Sequence, residues 1–286
     1  MVRQPMWAGS FYEADPEALR KRISGSFKSS LGPGRLPEAK PGRAGKVLGV
    51  VSPHAGYMYS GPGAANSFYA IAEDGTPEIA VILGPKHRRQ GAELAIDASD
   101  EWITPLGKVA VDKETAAEIV SACGLLEMDS TAHIYEHSLE VQVPFLQFAF
   151  GNGIRIIPIA VGLSPYEDIA GAAAEIGRAV ASAIRGKNAA LIASTDFTHQ
   201  EPLASAERKD SQAIAAIEKM DAPLLLETVR KQRITMCGAA PTAIAIEACK
   251  ELGASKAELL SYFTSAEETG DSSSVVGYGS LRIIRS

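Results

Sequence analysis

"AALIASTDFTHQ", Ala189 to Gln200, begins as an apolar run and ends with an acid and an imidazole three residues apart. A short apolar run without alternation is the pattern of a strand buried on both faces, as in a parallel sheet covered by helices. Similar runs stand at Lys46–Ser52 (KVLGVVS), Glu78–Gly84 (EIAVILG) and Ile154–Gly162 (IRIIPIAVG). Helical patterns lie between them. Asp15–Ser29 has Asp15 at the N-cap and Pro16 at the first helical position, and Ser164–Gly186 opens with a capping box of Ser164, Pro165 and Glu167. Gly61–Glu73, Asp112–Cys123 and His137–Phe150, the last despite Pro144, are further helices. Two or three more are expected between Leu203 and Leu252, then two closing strands in AELLSYFTS and SVVGYGSLRII. Glu93–Asp112 reads as an added hairpin. The alternation predicts an α/β fold: a single domain over residues 1–286, with a central, mostly parallel sheet flanked by helices.

The 286 residues are 46% hydrophobic, enough to build a core without staples. The net charge of −6 is interspersed, and no basic tract is available to neutralise phosphates, so nucleic acid is not an expected partner. Three cysteines without a paired short spacing argue against a disulfide framework and fit a reducing cytosol. The opening MVRQPMWAGSFYEADPEALR lacks the apolar core of a signal peptide, and no uncharged apolar run approaches the ~18 residues of a spanning helix. A soluble, cytoplasmic protein with no membrane partner is expected.

Three strand candidates end alike. His54 follows the first, His87 the second, and Asp196 and His199 the strand quoted above. In open α/β sheets the ligand crevice lies beyond the carboxyl ends of the strands, so three of the five histidines are expected to share a site. Imidazoles and a carboxylate converging there suit a metal or acid–base centre. Cys237 precedes a helix expected near Ala240, a place that favours a thiolate. HIYEH (His133–His137) matches the H-x-x-E-H pattern of zinc peptidases, but a helix beginning at His137 would leave its two histidines straddling the helix start. GPGAANSFYA lacks the spacing of a phosphate loop.

The motifs PHAGYMYSG, ILGPKH, EHSLEVQVPFLQ, STDFTH and MCGAAP, in this order, closely resemble the Memo family. Its archaeal and bacterial members are called AmmeMemoRadiSam system protein B. The opening RQPMWAGSFYEADPEAL resembles the family's start, and the resemblance spans essentially the whole chain. It implies a fold similar to the class III extradiol dioxygenases, the LigB-like group, which cleave catecholic rings with Fe(II) held by two histidines and a glutamate. By that resemblance His54 and His87 match the two histidine ligands, and His199 matches the acid–base histidine. Cys237 falls where the dioxygenase glutamate would be, as it does across the Memo family. A thiolate in place of a carboxylate softens the donor set, favouring Cu(I) or zinc, or a differently poised iron; the expected cofactor is one metal ion, iron or copper, with zinc possible.

The resulting expectation is a metal-binding, oxidoreductase-like protein. His54, His87 and Cys237 hold the metal. His199 moves protons, and Asp196 either orients an imidazole or caps its turn. Tyr57, Glu136 and His137 line the pocket, with Glu136 pairing His137 or capping the helix. The expected partner is a small organic substrate or a peptide, and the resemblance implies a functional link to AMMECR-type and radical-SAM proteins. Two rival functions use the same crevice: a non-catalytic binding module and a metal-dependent hydrolase.

Overall fold

The computed structural model describes residues 1–162 and 168–285. Its strands are β1 Val2–Arg3, β2 Val47–Ser52, β3 Ile79–Pro85, β4 Leu94–Ile96, β5 Glu101–Thr104, β6 Gly107–Val111, β7 Glu127–Met128, β8 Arg155–Val161, β9 Ala189–Ser194, β10 His199–Glu201, β11 Lys256–Thr264 and β12 Val275–Ile284. They form one sheet in the order β1-β5-β6-β8-β3-β9-β2-β12-β10, with β11 on β12, β4 on β8 and β7 on β4.

The four central strands β8, β3, β9 and β2 are parallel, and they are the four apolar runs of the sequence. Around them the sheet is mixed, which corrects the expectation of a mostly parallel one. β12 runs antiparallel both to β11, its hairpin partner, and to β2; β5 and β6 form the expected hairpin, and β4 lies antiparallel on β8. Hairpin-connected strands must pair antiparallel, whereas parallel neighbours need a crossover.

Successive residues of the central strands face opposite layers. Val81, Leu83, Ile157, Ile159, Leu191 and Ala193 pack with the helices Ile169–Ile184 and Ala239–Glu251, through Ile176 and Ile244. Ala80, Ile82, Ile156, Ala190 and Ile192 pack with Pro16–Lys28 and Tyr57–Asp74, through Ile23 and Phe68. The first of these helices is capped as expected, the Asp15 carboxylate accepting the Ala18 amide at 2.8 Å. Tyr57–Asp74 starts four residues earlier than the sequence reading had it and contains Pro62. The expected helix His137–Phe150 is two helices, His137–Glu140 and Val143–Phe150. Pro144 cannot donate to the Glu140 carbonyl and opens the second helix instead. The capping box at Ser164–Glu167 lies outside the described residues; Asp168 caps Ile169–Ile184 by accepting the Gly171 amide at 2.7 Å. Among the described residues no helix is long and apolar enough to cross a membrane.

Candidate metal centre

The carboxyl ends of β2, β9 and β3 lie side by side on one edge of the sheet, where open α/β sheets hold ligands. His54 stands two residues beyond β2, His87 two beyond β3 and Asp196 two beyond β9. A third imidazole comes from elsewhere. His137 opens the helix His137–Glu140, which reaches the end of β3 because Gly84 leaves room: a Cβ there would stand 2.7 Å from Ser138 Oγ and 2.8 Å from Leu139 Cδ2. One nitrogen from each of His54, His87 and His137 can be chosen so that all lie within 4.8 Å of one another. The His87 and His137 rings stack at 4.6 Å, and His54 meets them edge-on at 5.5 and 5.4 Å.

Hydrogen bonds behind the rings set which nitrogen faces inward. Ser194, the last residue of β9, donates its hydroxyl proton to the Ser138 carbonyl at 2.7 Å and accepts Gln142 Nε2 at 2.8 Å. Its proton is spent, so it accepts from His54 Nδ1 at 2.8 Å. His54 therefore carries its proton on Nδ1 and a lone pair on Nε2. His87 Nδ1 donates to Glu136 Oε1 at 2.9 Å, which leaves its Nε2 free in the same way. Glu136 also accepts the amides of His87 at 2.6 Å and Ser138 at 2.9 Å. Burial alone would push this carboxyl up; hydrogen bonds from His87 and Ser138 and the neighbouring His87 and His137 hold it at about 2. Glu136 thus caps the helix and pairs chiefly with His87, standing 3.4 Å from His137 Nδ1. That His137 nitrogen is buried and has no hydrogen-bond partner among the described residues. Burial, then the nearby His54, pushes His137 down to about 3, and burial pushes His54 well below its usual range. Both are neutral at pH 7, the form that ligates metals.

Cys237 sits against one member of this cluster. Its Sγ is 3.2 Å from His54 Nε2, and the Asp196 amide donates to the sulfur at 3.3 Å. The turn approaches β9 this closely because residue 238 is glycine; a Cβ there would lie 2.4 Å from the Ser194 carbonyl oxygen. The helix Ala239–Glu251 does follow, but the expected thiolate does not. Burial, then the Asp196 charge, pushes the thiol well above its usual range, and the S–H donates to the His54 lone pair. The third converging nitrogen is that of His137, which the sequence reading set in the pocket wall, while Cys237, read as the third ligand, touches His54.

The remaining expected residues are placed as follows. Asp196 is buried and accepts the His54 amide at 2.8 Å; its other oxygen is 4.0 Å from His54 Nε2. Burial pushes this carboxyl up. His199 lies on β10, outside the three converging nitrogens, with Nδ1 donating to the Thr235 carbonyl at 2.9 Å. Tyr57 donates its hydroxyl to the Val141 carbonyl at 2.5 Å and packs on Tyr12 and Phe145. His133 is buried apart from the cluster, its Nδ1 on the Asp129 carbonyl, so the HIYEH histidines do not converge.

Sequence reasoning missed Ser194, Gln142 and the aromatic wall of Trp7 and Phe11, whose rings stand 5.6 and 4.6 Å from His137. The terminal serine of the quoted strand was the one available signal for this layer. Beside the cluster a cavity of about 680 Å³ is bordered by His87 and Cys237 and walled by Val161, Ile169, Leu226 and Val229.

Comparison with known proteins identifies the fold and the family. A solved structure of an uncharacterized protein from Escherichia coli K12 shares the fold with a TM-score of 0.55 at 12% identity, covering 83% of this chain and all of that one. A MEMO1 family protein of Methanopyrus kandleri is 45% identical over 283 residues, 98% of each chain. One from Methanothermobacter thermautotrophicus is 46% identical over 98% of this chain and 100% of its own. The model of the Memo-like protein family matches residues 3–282, and the chain therefore belongs to that family.

Proposed function

We propose that this chain is a metal-dependent, oxidoreductase-like protein whose ion is held by His54, His87 and His137, with Cys237 as a further ligand. The observation that carries this is the pair of imidazoles His54 and His87, whose Nδ1 atoms are committed to Ser194 and Glu136, leaving Nε2 of each as the lone-pair nitrogen beside His137, that of His54 contacted by the Cys237 thiol. The residues fit an ion in a second respect. Burial holds His54 and His137 neutral, the state in which an imidazole offers a lone pair to a cation. Imidazoles with one thiol suit iron or copper, and also zinc.

A redox-active ion would supply electron transfer with a small organic substrate or O₂. The protein supplies the rest. Ser194 and Glu136 fix the rings of His54 and His87, so no reorientation is needed on loading. Asp196 holds the His54 amide and, through its own backbone, the Cys237 turn. His199, with Nδ1 committed to Thr235, offers Nε2 as the proton carrier. The substrate occupies the cavity beside His87 and Cys237.

A second reading rests on the same cluster. Three histidines are also a donor set of catalytic zinc, which would make the protein a hydrolase. Metal content decides. Protein purified without oxygen or affinity-tag histidines is compared by elemental mass spectrometry with His54→Ala, His87→Ala, His137→Ala and Cys237→Ser. Near-stoichiometric iron or copper, lost in the histidine variants, is the expected result. Stoichiometric zinc transfers the proposal to the hydrolase. No ion, and none taken up on reconstitution, overturns both and leaves the binding module.

A further inference from the structure

The chain that leaves β9 through Asp196 and His199 is strained. Gln200, in the middle of β10, has a φ of 56°, a left-handed backbone in a residue that is not glycine, and the pairing of β10 with β12 shifts register there. Such a conformation persists only where its surroundings impose it. Three holds do so. Thr235 takes the His199 amide on its hydroxyl at 2.6 Å and the Nδ1–H on its carbonyl at 2.9 Å. Gly277 of β12 accepts the Phe197 amide and donates to the Thr198 carbonyl, each at 2.9 Å. The third hold is an acid. Asp210, on the helix Leu203–Glu218, accepts the Thr198 amide at 3.0 Å and the Thr198 hydroxyl at 2.6 Å on one oxygen, and the Tyr262 hydroxyl at 2.8 Å on the other. Residue 277 is glycine for this reason: a Cβ there would stand 2.1 Å from Asp210 Oδ2. Asp210 is fully buried, and burial pushes its carboxyl up, so the group is costly to place. Where stability alone is at stake, apolar groups of the same shape serve nearly as well. A satisfied polar network fixes one arrangement instead.

We propose that Asp210 is a positioning residue for His199: through Thr198 it fixes the backbone on which the imidazole meets Thr235 with its Nδ1–H and keeps its lone pair on Nε2. Asp210 touches neither the imidazole cluster nor the cavity beside it. Its effect passes through one residue, Thr198, whose amide and side chain it holds together. This deepens the function proposed above and rests on it only for the use made of His199 as the proton carrier.

The test reads the tautomer of His199 directly. The full chain, metal-free and labelled with ¹⁵N-histidine, is studied by two-bond ¹H–¹⁵N correlation at about pH 8.5, above the usual imidazole range. The His199 signals are assigned by their loss in His199→Gln. In the wild-type chain they should show one tautomer, with the proton on Nδ1. Asp210→Ala should lose that signature, the two nitrogens moving to a shared, averaged shift, while the signals of His54 and His87 stay in place. Asp210→Asn, which keeps an oxygen for Thr198, should restore it. Should Asp210→Ala fail to fold, Thr198→Val serves: it removes the hydroxyl, keeps the amide contact and should move the His199 signals in the same direction. An averaged signal in the wild-type chain overturns the proposal, as does an unchanged signature in folded Asp210→Ala or Thr198→Val. Loss in Asp210→Asn also overturns it, because the acceptor is still there, and equal shifts at His54 and His87 would mean general loosening instead of positioning. Metal content is read on separate samples. A chain that takes up no ion but shows the Asp210-dependent tautomer would discard the metal centre and keep the positioning. A loaded metal centre with a His199 indifferent to Asp210 would do the reverse.

Discussion

The carboxylate of Glu136 holds His87 twice, taking the ring Nδ1–H at 2.9 Å and the backbone amide at 2.6 Å. One buried acid thereby fixes both the place and the tautomer of a candidate ligand. Removing such a partner behind a metal-bound imidazole typically costs 10- to 100-fold in metal affinity. Glu136→Gln is expected to weaken binding of a competing divalent probe such as Co²⁺ by about that factor. The folded far-UV spectrum should be retained. Unchanged affinity in a chelator-competition titration would show that His87 does not ligate.

Cys237 is a thiol donating to His54 Nε2, and burial is the main reason it keeps its proton. Cys249 is likewise pushed up by burial, to about 12, against the opposing effect of nearby Arg43. Since the thiolate is the nucleophile, metal-free native protein at pH 7.5 should react slowly with a disulfide reagent at both positions. Denaturant should release all three cysteines within the mixing time. Fast native labelling of Cys237, which is half-buried, read by peptide mass spectrometry, would contradict a protonated thiol there.

The parts legible in the sequence are those with a local pattern. The four central strands are continuous apolar runs, and the N-caps at Asp15 and Asp112 have their first-turn chemistry in sequence order. His54 and His87 were found because each follows such a run directly. His137 was harder. It reaches the cluster only because the chain between Ser130 and Glu140 folds over β3, and that depends on Gly84 having no Cβ and on Glu136 turning towards His87. Neither contact leaves a periodic trace. The antiparallel edge was missed for the same reason: a strand's direction is set by its partner, and β12 finds β2 across more than two hundred residues.

Asp97 provides a pH test away from the metal ligands. Burial would raise its carboxyl, but nearby His133 and hydrogen bonds from Ser99, Trp102 and Ser130 leave it below the usual range. A native value depressed below the unfolded one, about 3.9, contributes stability that is fully present above that pH. It is lost as pH falls through the native value. Urea denaturation of metal-free protein between pH 6 and pH 3 should show this acid limb, and Asp97→Asn should flatten it while lowering stability at pH 6. An unchanged slope in the variant would assign the acid limb to other groups, the buried His54, His133 and His137 among them, which take up protons only on unfolding.

The chain's first twelve residues bring Trp7 and Phe11 against His137. They are held by a buried ion pair, Arg3 Nη1 to Glu140 Oε2 at 2.7 Å, with side chains 4% and 0% exposed. Glu140 also accepts the amides of Met6 and Trp7 and the Tyr12 hydroxyl. Arg3 in turn donates to the carbonyls of His133 and Glu136 and stacks over Trp102 at 4.1 Å. Removing one partner of a buried pair leaves an uncompensated charge and costs about 3–5 kcal/mol. Arg3→Met should lose stability in that range. In many proteins replacing both ions with apolar groups restores it. Here Arg3→Met/Glu140→Leu should not, because two backbone amides and a tyrosine hydroxyl would lose their acceptor. The consequence for the site is measurable by Trp7 fluorescence. In Arg3→Met the Trp7 emission should shift to the red at lower urea than the loss of far-UV signal, because the segment leaves His137 before the sheet unfolds. Coincident transitions would mean that the segment and the sheet form one cooperative unit.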